Sequence, residues 1–240
     1  MLIEAAFAAW RQVLSGPLRR ILWRALALTL GLLVLLWVSL TRLFGSYLKG
    51  HPLSVDYPIL DGFAYFLAGA GLLIVFFYVL PAISALVAGF FLDEAAEIVE
   101  RTDFPGEPTG RALPAGRALL YGIRFAALSL LVNLAALTLF FVPGVNVAAF
   151  FAANAYLLSR EYFELAAGRF RPLPEAAAMR RERRGTVLLA GGMLAALVLV
   201  PVLNLLTPLF GVALMVHVHK RLSARSAQVG AGWAKIARNS

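Results

Sequence analysis

Two arginines, Arg19 and Arg20, follow a Ser15-Gly16-Pro17-Leu18 break and stand directly before a long apolar run. Their types and spacing suit oxyanion binding. Pro17 fits the first position of a helix, with Gly16 or Ser15 as the cap. The amide hydrogens of Leu18, Arg19 and Arg20 then lack intrahelical partners. Unpaired amides, the positive end of a helix dipole and two guanidinium groups together make an anion site. The competing use of these residues is anchoring to lipid headgroups at the margin of an apolar segment.

Other polar residues stand out against apolar surroundings. Asp93, Glu94, Glu97 and Glu100 form an acidic group in which positions 93, 97 and 100 share one helix face. Two uses stay open: a solvated or arginine-paired face, and a regulatory or gating role for Glu97 and Glu100. Asn133, Asn146, Asn154 and Asn204 suit interhelical hydrogen bonds or the lining of a polar pathway. Asn146 and Asn204 are favoured for the pathway because each ends a Val-Pro-x-x-Asn pattern. Arg124, isolated among apolar residues, either snorkels or faces a wet cavity. The Ala85-x-x-x-Gly89 spacing permits close helix packing.

Catalytic machinery has no signature here. There is no cysteine, so disulfides, thiolate metal sites and iron–sulfur clusters are excluded. Histidines occur only at positions 51, 217 and 219, and the last two point to different sides of a helix. Neither a phosphate-cradling loop, a nucleophile elbow nor a zinc signature occurs. The expectation is a non-enzyme that needs no metal and no cofactor.

The elements that must position these residues are set by composition. Of 240 residues 61% are hydrophobic and 15% charged, against roughly 25% charged in water-soluble domains. Lipid is the expected solvent. The +9 net charge favours anionic lipid or an anionic solute over nucleic acid, because the basic residues flank apolar runs instead of forming a face with exposed aromatics. The first long apolar run starts near residue 25 without a cleavage site after it, so no cleavable signal peptide is expected.

Four uncharged stretches organise the chain. Ala25–Thr41 has 17 residues, just enough to span with Trp23 and Trp37 near the interfaces. Gly62–Leu92 has 31 residues and must tilt, bend at Pro81 or continue past the bilayer. Phe125–Ser159 and Gly185–His219 each have 35 residues, broken by Val142-Pro143-Gly144-Val145-Asn146 and Val200-Pro201-Val202-Leu203-Asn204. Each reads as a helical hairpin, with a leg of about 16 residues or ~24 Å. Such a leg suits a hairpin that enters the bilayer and returns, while two complete spans across a thin bilayer remain the alternative.

Basic residues cluster before residue 25, in 93–117, in 160–184 and after 220, whereas residues 42–61 hold only Arg42 and Lys49. Both termini and both basic loops are therefore expected in the cytoplasm. Residues 1–14 carry Ile3, Phe7, Trp10 and Val13/Leu14 at helical spacing and suit a helix in the interface. Residues 101–117 read as a loop. The run Arg180, Arg181, Arg183 and Arg184 suits anionic headgroups. The expected architecture is an all-α integral membrane protein: one membrane domain (1–240) with two long transmembrane helices and two helical hairpins partly inserted in the membrane. An amphipathic interfacial helix and anion motif occupy 1–24, the long helices 25–100, and the hairpins 118–160 and 186–220.

These pieces resemble the CysZ-type sulfate permease family. The likeness rests on Gly16-Pro17-Leu18-Arg19-Arg20, on Leu86-Val87-Ala88-Gly89-Phe90-Phe91-Leu92-Asp93 running into Glu97 and Glu100, and on the two late hairpins. It implies a multi-pass bacterial inner-membrane protein, assembled as a homo-oligomer, that admits sulfate or sulfite for cysteine synthesis. The family's sulfate-binding Gly-Leu-Arg-Arg element falls on Gly16, Leu18, Arg19 and Arg20, with Pro17 inserted between glycine and leucine. From the residues alone, a membrane scaffold or regulatory protein acting through its hairpins is the alternative.

Overall fold

In the computed structural model, residues 1–50, 66–67, 69–71, 73, 87, 91–138 and 144–239 are described. Among them every regular element is a helix: α1 (Leu2–Val13), α2 (Gly16–Gly50), α3 (91–103), α4 (Ala115–Thr138), α5 (Val145–Gly168), α6 (Leu173–Glu182), α7 (Arg184–Val198), α8 (Pro201–Asn204) and α9 (Thr207–Asn239). The chain divides into two compact units, Met1–Arg19 with Leu92–Ser240, and Arg20–Phe91.

In the first unit α5 is the central helix, packed on α4, α6, α7 and α9. It buries Ala153, Ala155, Leu157, Tyr162, Phe163, Ala166 and Ala167. Small residues bring the backbones together: a Cβ on Gly191 of α7 would overlap the Ala155 carbonyl oxygen and the Ser159 Cβ. No side chain larger than hydrogen fits this crossing. Gly144 caps α5 with φ of 81°, a left-handed conformation that favours glycine. The preceding Val142 and Pro143 lie outside the described residues, as do most of Gly62–Leu92, Pro81 and the Ala85-x-x-x-Gly89 pair.

The N-terminal helix packs on α9 by its narrow side. Ala5, Ala9, Gln12 and Val13 are buried, and Trp10 meets Phe210 edge to face at 5.5 Å. Ile3 and Phe7 point away, 67% and 73% exposed. An outward apolar stripe on a docked helix suits contact with lipid. Arg221 of α9 fastens the other end, donating to Glu4 Oε2 at 2.6 Å and to the Met1 carbonyl at 2.9 Å.

Several expected boundaries move. The helix expected over 25–41 is the 35-residue α2, about 52 Å long at ~1.5 Å per residue, because Arg42, Ser46 and Lys49 are compatible with continued helix. Within it Gly16–Leu43 is long and apolar enough to cross a membrane, with a mean hydropathy of 2.2 and 6% of the window buried. In the 118–160 segment α4 and α5 pack together, but α5 runs on to Gly168. The 160–184 segment is not a simple loop, since α6 forms at Leu173–Glu182 after Pro172. In the 186–220 segment a one-turn helix, α8, separates α7 from α9, and α9 continues to Asn239. Its extension holds Ala, Lys and Arg, good helix formers; the charge of Lys and Arg removes them from an apolar count but not from a helix.

Candidate functional site

The break between α1 and α2 is tight. Ser15 N–H donates to the Gln12 carbonyl at 2.9 Å and closes α1, while the Ser15 carbonyl accepts from Arg19 N–H at 3.0 Å and opens α2. Ser15 is therefore the cap, Gly16 the first helical residue and Pro17 the second. Two expectations are corrected: Pro17 is not the first helical residue, and the Arg19 amide is already bonded within the helix. Helix geometry leaves Gly16 and Leu18 as the first-turn amides preceding the ladder. Pro17 contributes none.

The side chains sort themselves around that turn. Leu18 is fully buried, whereas Arg19 and Arg20 are exposed. A buried leucine between Pro17 and the arginines fixes the rotation of the turn, so both guanidiniums face outward. Neither makes an ion pair among the described residues. The Ser15 hydroxyl oxygen is buried without a hydrogen-bond partner, and the first turn of α2 contains no acidic residue. The positive end of the dipole is thus uncompensated within its own turn.

The acidic group divides between two tasks. Glu97 pairs with Arg101 along α3 at 2.5 Å, both partly exposed. Glu100 is 1% exposed and accepts Arg169 Nε at 2.8 Å, Arg169 Nη2 at 3.3 Å and the Gly110 amide at 2.8 Å. Asp93, about two turns earlier on the same helix face, accepts Arg169 Nη1 at 2.6 Å. Burial alone would lower the pKa of Arg169, but the hydrogen bonds and charges of Glu100, then of Asp93, raise it above its ordinary value. Arg169 Nη2 also reaches the Gly110 carbonyl at 3.3 Å, and the Arg169 carbonyl accepts from Arg111 N–H at 2.8 Å. This arginine ties the end of α5 to α3 and to the following segment.

A second set of contacts completes that join. Asp103 Oδ2 lies 3.0 Å from His217 Nε2. Lys220 Nζ donates to Glu107 at 2.8 Å and sits 4.3 Å from the Phe170 ring centre, while His219 stacks on Phe170 at 5.0 Å. Arg169, His217, His219 and Lys220 are buried polar residues whose partners are distant in the chain. Only their position next to apolar runs hinted at burial.

The remaining candidates do not converge. Asn146 lies in the first turn of α5, where its Oδ1 accepts from the Val147 amide at 2.7 Å. Asn204 ends α8 and is exposed. The two asparagines are therefore not structurally equivalent, because Gly144 starts a long helix whereas Pro201 starts a single turn. Arg124 is exposed on α4. Asn154 turns back onto the Phe150 carbonyl at 2.9 Å, and the Asn133 side chain lies outside the described residues. Among the described residues no group of three His, Asp or Glu side chains is placed to hold a metal ion.

The model of the family described as Sulfate transporter CysZ/Etoposide-induced protein 2.4 matches residues 5–208. Comparison with curated proteins gives no match. The matched span contains the Ser15–Arg20 turn, the acidic helix, α4 to α8 and only the first two residues of α9. With the membrane-length α2, it makes this chain a helical membrane protein of transporter type, and the chain belongs to the Sulfate transporter CysZ/Etoposide-induced protein 2.4 family.

Proposed function

We propose that this protein admits sulfate, and its relative sulfite, across the bacterial inner membrane to supply sulfur for cysteine synthesis. The first turn of α2 receives the anion. The observation that carries this reading is the pair Arg19 and Arg20, exposed and without an ion pair among the described residues, on the first turn of a membrane-length helix. In a protein whose buried Arg169 and Lys220 are matched to carboxylates, two exposed guanidiniums without such partners suit an external anion.

The chemistry follows from desolvation. A dianion moved into a low-dielectric region without compensation costs tens of kcal/mol, so donors must replace water as it enters. Two guanidinium forks and the amides of Gly16 and Leu18 supply donors of fixed geometry. Sulfate near neutral pH offers only acceptors, whereas hydrogen phosphate carries a proton that wants an acceptor. A donor-only turn thus favours sulfate, an unmatched buried donor costing about 1–3 kcal/mol. Leu18 sets the direction of both forks, and Pro17 fixes the turn at the expense of one amide.

Tracer flux into liposomes containing only this protein tests the reading, with sulfate, sulfite, phosphate and chloride in competition. Sulfate flux that sulfite reduces strongly, and phosphate or chloride only weakly, is expected. Absence of flux from a folded, inserted protein would contradict it.

A further inference from the structure

A second basic site lies away from the Arg19–Arg20 turn. A cavity of about 590 Å³ is bounded by Arg180, Arg181, Arg184, Tyr156, Val187 and Leu188, with Ser159 and Gly185 completing its walls. Small-molecule sites occupy about 300–1,000 Å³. The lining has three guanidiniums and no carboxylate. Arg180 is held from behind by Glu164, which accepts its Nε at 2.9 Å, so its terminal nitrogens remain for another acceptor. Arg181 and Arg184 are exposed and make no ion pair among the described residues. Ser159 cannot donate into the cavity, since its hydroxyl is committed to the Tyr156 carbonyl at 2.8 Å.

The rest of the lining is of a different kind. Arg184 and Leu188 are one turn apart on the same face of α7, which sets a cation directly above an apolar side chain. Leu188 and its neighbour Leu189 are 47% and 65% exposed, and Tyr156 is 38% exposed. The cavity therefore grades from guanidinium to hydrocarbon over about one helical turn, ~5.4 Å. We propose that it binds the phosphate group of an anionic phospholipid, held by Arg181 and Arg184 with Arg180, while the glycerol and first acyl carbons lie on Tyr156 and Leu188. A free hydrated anion gains nothing from the apolar wall, and a choline headgroup finds no carboxylate there for its ammonium. Arg183, adjacent in sequence, does not line the cavity, so the four-arginine run contains one residue of general charge and three of a defined site.

The test does not depend on transport. Native mass spectrometry of the detergent-purified protein is titrated with phosphatidylglycerol, phosphatidylcholine or inorganic phosphate. Saturable binding of phosphatidylglycerol is expected, with weaker phosphatidylcholine binding and little displacement by millimolar phosphate. R181Q/R184Q should weaken phosphatidylglycerol binding at least about tenfold, as lost charge-assisted hydrogen bonds would require, while R183Q leaves it unchanged. Both variants alter exposed residues, and an unchanged melting temperature verifies their fold. Equal binding by parent and R181Q/R184Q would overturn the proposal, as would equal weakening by R183Q. Displacement of the lipid by inorganic phosphate at equal concentration would overturn the lipid assignment.

Discussion

Substituting Arg169 tests whether the acidic helix serves architecture. Arg169→Met keeps much of the side-chain volume and removes three contacts to carboxylate oxygens, at 2.8, 3.3 and 2.6 Å. The two acids then fare differently. Asp93 has a side chain 43% exposed and can be rehydrated. Glu100, 1% exposed, keeps only the Gly110 amide. Breaking a buried pair so that one charge is stranded costs about 3–5 kcal/mol. At roughly 2–4 °C per kcal/mol for a chain of this size, Arg169→Met should melt about 6–20 °C below the parent, followed by fluorescence-detected size exclusion after heating. Asp93→Asn should lose only about 0–1 kcal/mol. Adding Glu100→Gln to Arg169→Met removes the stranded charge and keeps an acceptor for Gly110, so the double variant should recover part of the loss, with a coupling of roughly 0.5–3 kcal/mol. If Arg169→Met is no less stable than Asp93→Asn, the cluster is not the tie described above.

Other expectations follow from single contacts. Gly191→Val should destabilise by about 1–3 kcal/mol or separate α5 from α7, detectable as a lower melting temperature and faster proteolysis between them. Arg19→Lys keeps charge but loses the guanidinium fork, so sulfate flux should fall between that of the parent and that of Arg19→Ala/Arg20→Ala. Glu4 is held below its ordinary pKa of 4.5 by the Arg221 hydrogen bond first, then by the N-terminal ammonium. Its contribution is accordingly full above that value and is lost as pH falls through the lower folded value. A probe on α1 should report a small loosening of its first turn from α9 only in that acidic range, and Glu4→Gln should abolish the dependence.

What could be read from the residues was local. The Ser15–Pro17 break, the amphipathic spacing of residues 3–14 and the apolar lengths are properties of adjacent positions, and helix starts follow at Gly16 and Leu2. The bonding of the Arg19 amide depended on one residue of register, since Ser15 could be read as cap or as the residue before it. Asn146 and Asn204 shared a motif, yet Gly144 and Pro201 start helices of different length. The Arg169–Glu100 pair spans 69 positions, beyond the reach of any periodicity. In the sequence Arg169 was one of seven arginines in a basic segment. Tertiary pairing, not local spacing, decides which cations are matched and which remain for a ligand.

The proposed uptake stands on reception of sulfate by Arg19 and Arg20. Initial rates of radiolabelled sulfate entry into liposomes, compared at equal insertion for the parent and Arg19→Ala/Arg20→Ala, test it most directly. Two lost charge-assisted contacts imply a decrease of at least about tenfold, with unchanged thermal stability because both side chains are exposed. Equal rates for the two proteins would show that the two arginines do not receive the anion.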